Sequence, residues 1–196
     1  MQIAKNRVVE KLGEGKLYYF TYAEFWETLS DQKVWNPNEK LEQKTLKYSC
    51  SGATYNGTWK GGFRQGKGTM LWPDGAIYEG EWKDNHAHGW GKFVHSNGDS
   101  YEGIWRRSKA NGKGVYKTVQ GGGTYTGQWS EDYQEGYGVE KWHDGSSFHG
   151  FFNKGQKHGL GTQVWGNGSL YKGQWSHNMI TGIGIQSWND GRVYEG

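Results

Sequence analysis

Tyr78-Glu79-Gly80-Glu81-Trp82 decides how the chain must be read, because its five-residue form returns at a nearly fixed interval. It recurs as Tyr55-Asn56-Gly57-Thr58-Trp59, Tyr101-Glu102-Gly103-Ile104-Trp105, Tyr125-Thr126-Gly127-Gln128-Trp129, Phe148-His149-Gly150-Phe151-Phe152 and Tyr171-Lys172-Gly173-Gln174-Trp175. Tyr194-Glu195-Gly196 then opens a seventh copy, and successive starts lie 23, 23, 24, 23, 23 and 23 residues apart. Self-similarity this regular is the signature of a repeat array, and it takes precedence over local propensity.

Two further signals recur in phase. A Gly-x-Gly follows each closing aromatic by seven residues, from Gly66/Gly68 to Gly182/Gly184. Turn dipeptides come next, at Asp74-Gly75, Asn97-Gly98, Asp144-Gly145, Asn167-Gly168 and Asp190-Gly191, the residues that tight turns between strands require. The third copy carries Gly121-Gly122-Gly123 there, and its additional residue falls in that turn. Strand geometry places Tyr78, Gly80 and Trp82 on one face and Glu79 and Glu81 on the other. Gly89, Gly91 and Phe93 are expected to share a face of the following strand, with rings lying across glycines of a neighbouring strand. The fold expected is all-β, an elongated single-layer ribbon of stacked antiparallel hairpins. Six hairpins give about twelve strands, a ribbon roughly 60 Å long and about 20 Å wide.

Composition agrees. Only 33% of the 196 residues are apolar and 34 are glycine, yet there are 12 Trp and 13 Tyr, so the chain is too aromatic for a disordered polymer. Cys50 is the one cysteine, which fits a reducing compartment, and the opening residues lack the apolar run of a signal peptide. A cytoplasmic protein is the expectation. The net charge of +3 is uneven: residues 55–124 hold 10 basic and 6 acidic side chains, residues 125–194 hold 5 and 6.

Tyr-x-Gly-x-Trp, then Gly-x-Gly, then Asp/Asn-Gly resembles the MORN (membrane occupation and recognition nexus) repeat, over about three quarters of the chain. Phe148 and Phe152 depart from it, which keeps the packing but removes ring-edge hydrogen bonds. The resemblance implies a solvent-exposed β-hairpin scaffold. Proteins of this kind sit in ciliary radial spoke heads, in cortical and basal cytoskeletal structures of protists, at membrane contact sites, and beside lipid kinase or methyltransferase domains. It therefore implies a place in a cilium, axoneme or cortical cytoskeleton, and the last repeat is similar to repeats of ciliate and other protist proteins.

Residues 1–45 read as a separate capping or docking segment and residues 46–196 as the array, beginning with a half-repeat at Tyr48–Thr54. Thr21-Tyr22-Ala23-Glu24 has the form of a capping box, with Phe20 and Phe25 as a staple, predicting a helix from Tyr22 to about Ser30. Tyr22, Phe25, Trp26 and Leu29 form one apolar stripe on it. Such a stripe either caps the first repeat or docks a partner.

Nothing in the chain reads as catalytic. Gly13-Glu14-Gly15-Lys16 lacks the hydroxyl residue and first glycine of a phosphate loop. His86 and His88 have no third ligand in matching position, and Ser146, His143 and Asp144 lack a nucleophile elbow. No enzyme activity, cofactor or metal is expected. Lys60, Lys83 and Arg106 occupy one position in three consecutive repeats, which places them in a basic row spaced about 10 Å apart. Arg64, Arg107 and Lys109 lie in or beside the same loops. Two functions remain open: an assembly scaffold for other proteins or a second copy of itself, and a peripheral membrane module drawing anionic lipid to the basic row, worth about 1 kcal/mol per cation. Nucleic acid is not expected, since the net charge is modest and the aromatics are committed to packing.

Overall fold

The computed structural model describes Tyr19, Phe20, Glu24, Glu27, Asn38 and residues 40–196. Its elements are all strands: β1 (Glu42–Lys47), β2 (Thr54–Lys60), β3 (Phe63–Leu71), β4 (Ile77–Lys83), β5 (His86–Val94), β6 (Ser100–Arg106), β7 (Lys109–Lys117), β8 (Thr124–Ser130), β9 (Tyr133–Lys141), β10 (Ser147–Asn153), β11 (Gln156–Val164), β12 (Leu170–Ser176), β13 (Met179–Ser187) and β14 (Val193–Glu195). They hydrogen-bond in sequence order in one open antiparallel sheet. By contacts the chain divides into two compact units, Met1–Ala110 and Asn111–Gly196.

The predicted helix over 22–30, with Tyr22, Phe25, Trp26 and Leu29, lies outside the described residues apart from Glu24 and Glu27, which are each in helical conformation, and no helix stands among the described elements. The sheet begins at Glu42, four residues before Leu46, because β1 pairs along its whole length with β2, from Glu42 opposite Trp59 to Lys47 opposite Thr54.

Each repeat is a hairpin closed by two residues with positive φ, such as Asp84-Asn85 at 49° and 66° and His177-Asn178 at 52° and 68°. Left-handed residues at both central positions match the twist of paired strands. These turns carry no Asn-Gly or Asp-Gly; the dipeptides recognised in the sequence lie instead in the connections from one hairpin to the next.

The two glycines of each Gly-x-Gly do different jobs. Gly89 has φ 63° and sits where the β4–β5 register slips between Gly80 and Trp82, so it serves a bulge. Gly91 pairs with Gly80 under the Tyr78 ring, and a Cβ on Gly91 would lie 2.6 Å from Tyr78 Cζ. The expected common face for Gly89, Gly91 and Phe93 therefore holds only from Gly91 onward, because the bulge intervenes. Ring-over-glycine packing itself is present in both units: Tyr55 covers Gly57 and Gly68 in the first, and Phe148 covers Gly150 and Gly161 in the second.

The tyrosine hydroxyl bonds within its own strand, and the tryptophan N–H ties that strand to its neighbour. Tyr78 Oη donates to the Glu81 carbonyl at 2.9 Å and Trp82 Nε1 to the Gly68 carbonyl at 3.0 Å. Tyr171 and Trp175 repeat the pattern at 3.2 and 3.3 Å. Phe148 and Phe152 stay buried without these bonds, leaving edge-to-face contacts such as Phe148–Trp175 at 5.2 Å.

Candidate functional site

On the aromatic face of the first unit, Arg64 fills a box of rings. Its Cζ lies 4.6 Å from the Trp82 centroid, 5.5 Å from Tyr48 and 5.8 Å from Tyr55. Asn85 fixes its backbone, since the Arg64 N–H donates to Asn85 Oδ1 at 2.7 Å while Nη2 donates to the Asn85 carbonyl at 2.9 Å. Asn85 presents both acceptors from a turn at φ 66°, a conformation that asparagine tolerates.

Residues that precede the repeats close this box. Glu24 Oε2 lies 3.7 Å from Arg64 Nη1, and the two side chains are 0% and 2% exposed. Burial pushes the Glu24 carboxyl up, and the Arg64 charge opposes that rise. Phe20 stands 5.1 Å from Trp72, 5.4 Å from Tyr78 and 5.8 Å from Trp105, and Tyr19 stands 4.9 Å from Trp72 and 5.0 Å from Phe93. The Tyr19 hydroxyl also donates to Asp74, and burial followed by that carboxylate raises its pKa to about 12. Phe20 holds φ 56°, a strained backbone for a bulky residue, which its burial among these rings offsets. Glu27 accepts from the backbone N–H groups of Ser49 at 2.7 Å and Cys50 at 3.0 Å. Hydrogen bonds to the Cys50 side chain and to these amides lower its pKa to about 2.

A second box stands in the other unit, displaced by 93 residues. Lys157 takes the place of Arg64, Phe148 that of Tyr55 and Trp175 that of Trp82, while Trp142, 94 residues on because its turn is one residue shorter, takes that of Tyr48; Nζ lies 4.4, 5.4 and 5.0 Å from those three ring centroids. Asn178 replaces Asn85, accepting the Lys157 N–H at 2.8 Å. Here, among the described residues, the carboxylate comes from within the repeats. Lys157 Nζ donates to Gln163 Oε1 at 2.8 Å and lies 3.7 Å from Glu140 Oε2. Burial lowers the Lys157 pKa and raises that of Glu140, each opposed by the other's charge. Above the ammonium lies an open cavity of about 610 Å³ walled by Trp142, Trp165 and Trp175. Trp165 takes the place of Trp72 but is partly exposed, whereas Trp72 is 4% exposed beneath Tyr19 and Phe20.

Arg64, expected in the loops beside the basic row as a partner- or lipid-binding candidate, is instead buried, because its column of the repeat faces the aromatic side. Lys83, Arg106 and Arg107 are exposed, and Lys60 and Lys109 are partly so. Lys60, Lys83 and Arg106 each end the first arm of a hairpin, at the close of β2, β4 and β6. His86 and His88 flank buried Ala87 on the opposite face, and among the described residues no group of three or more His, Cys, Asp or Glu is placed to hold a metal. Sequence reading missed both boxes. Their signal is a charge at a column that holds Ala87, Ala110, Gln134 and Ile180 in the other repeats.

The MORN repeat family model matches six successive segments, 55–77, 78–100, 101–123, 125–147, 148–170 and 171–191. No curated protein sequence matches the chain. Among solved structures, the TCP domain of Drosophila melanogaster SAS-4 (dCPAP), in complex with a proline-rich motif of Ana2, is 11% identical with a TM-score of 0.41, over 83% of this chain and 94% of that one. The TCP10 domain of Danio rerio CPAP, in complex with a STIL peptide, is 14% identical with a TM-score of 0.35, over 79% and 67%. Likenesses of this size carry no inference about what this chain binds.

Proposed function

Because this chain belongs to the MORN repeat family, we propose that it is a non-enzymatic scaffold that holds other proteins against its aromatic face. One observation carries the reading: the array already holds non-repeat polypeptide there, gripping Phe20 and Tyr19 edge-on and Glu24 through Arg64. A face that binds one such segment has the chemistry to bind others. We place the scaffold in a cytoskeletal assembly of a cilium or cell cortex, on the strength of the family resemblance alone.

The membrane reading has one observation in its favour, the aligned Lys60, Lys83 and Arg106. Glu79, Glu81 and Glu102, exposed on the same strands, weaken the positive field of that region. Among the described residues no helix is long and apolar enough to cross a bilayer.

Affinity capture from the source cell, run beside flotation on phosphatidylserine and phosphoinositide vesicles, separates the two. The scaffold reading expects cytoskeletal proteins recovered equally by wild type and by the K60E/K83E/R106E variant, with no flotation. Flotation by wild type that the triple variant loses, without protein capture, would replace it with the membrane module.

A further inference from the structure

Resting on the scaffold reading, we infer that the Lys157 groove binds a partner segment carrying an aromatic residue followed four positions later by a carboxylate. The chain supplies its own template. In the first unit Phe20 lies against Trp72, and Glu24, four residues on, pairs with Arg64. Moving by 93 residues converts Trp72 into Trp165 and Arg64 into Lys157, with the three-ring box and the asparagine clamp preserved.

The second groove keeps the chemistry, and among the described residues none takes the place that Phe20 and Glu24 hold in the first. Lys157 has three N–H donors, one satisfied at 2.8 Å by Gln163, while Glu140 at 3.7 Å lies beyond hydrogen-bond distance. An incoming carboxylate at the site that Glu24 holds in the first groove would complete a charge-assisted pair. Trp142 and Trp165 remain partly exposed over the cavity, and aromatic anchors in a groove are where polypeptide binding energy concentrates. Asn167 stands where Asp74 accepts the Tyr19 hydroxyl, so a tyrosine before the anchor also finds an acceptor. The apolar Met70 and Phe93 become Gln163 and Gln186, so this groove suits a more polar segment than the first.

The probe is a fluorescein-labelled peptide of residues 17–30 of this chain, titrated by anisotropy into the full chain. Saturable binding is expected, weakened about tenfold or more by Trp165→Ala in the protein and by Glu24→Gln in the peptide. Circular dichroism checks the fold of Trp165→Ala; if it is lost, indole proton shifts of the wild type decide, Trp142 and Trp165 moving on titration while Trp72 stays. Absent binding, or equal binding by wild type and Trp165→Ala, would overturn the inference while leaving protein capture from cells, and with it the scaffold, intact. A dimer that Trp165→Ala dissolves would also overturn it, since the occupant would then be a second copy.

Discussion

At the scale of single residues, the Glu24–Arg64 pair is the contact on which the first groove closes. Both side chains are out of solvent, so their mutual attraction must offset two desolvation penalties, and removing one partner leaves the other charge stranded. Glu24→Ala is expected to cost about 3 kcal/mol in chemical denaturation, whereas the E24M/R64M double variant should stay within about 1 kcal/mol of wild type. A single variant that costs nothing would show that the pair contributes no closure. Glu27 acts through a different balance. With a folded pKa of about 2 against an ordinary 4.5, the unfolded chain takes up the proton first as the medium acidifies. Its contribution is therefore full above about pH 5.5 and disappears as pH falls toward 2. Glu27→Gln should flatten the acid limb of the stability profile across that window; an unchanged limb would mean the Ser49 and Cys50 amides do not hold it.

At the scale of the strand and hairpin, the unit of construction is a tyrosine laid across a pair of facing glycines. Gly91→Ala sets a Cβ against the Tyr78 ring and should destabilise by at least about 1–3 kcal/mol, because neither ring nor strand can retreat. Gly75→Ala meets nothing within 4 Å and bears only the strain of φ 92°, so it should cost less. Equal melting temperatures for the two variants would contradict ring-over-glycine packing. This packing was legible in the sequence because it repeats six times with one spacing. The hairpin turns were not: Arg107-Ser108 and Glu131-Asp132 adopt positive φ without turn-forming dipeptides, since strand pairing on both sides imposes the conformation. The bulge at Gly89 was hidden likewise, because a period-2 reading assumes unbroken register.

At the scale of the molecule, the repeats are alike as strands and unlike as surfaces. Periodicity reveals what is common to every copy, so it gave the sheet order and the buried aromatic column; it is silent on departures within a column. Arg64 and Lys157 are such departures, and Arg64 in particular reads as one more surface cation until its column is seen to face the rings. The partnership of Tyr19, Phe20 and Glu24 with the first groove has no periodic signal at all, since it joins residues outside the repeat to residues inside it. Charge asymmetry, visible from composition, marks a difference between the two halves but does not show that, among the described residues, one aromatic groove is covered by Tyr19, Phe20 and Glu24 and the other is not.

Hydroxyl-radical footprinting of the full chain, read tryptophan by tryptophan by mass spectrometry, tests that difference most directly. Trp165 and Trp142 should oxidise readily and Trp72 should be protected beneath Tyr19 and Phe20, with Phe20→Ala raising the Trp72 rate and leaving that of Trp165 unchanged. Equal oxidation of Trp72 and Trp165 in the wild-type chain would contradict it.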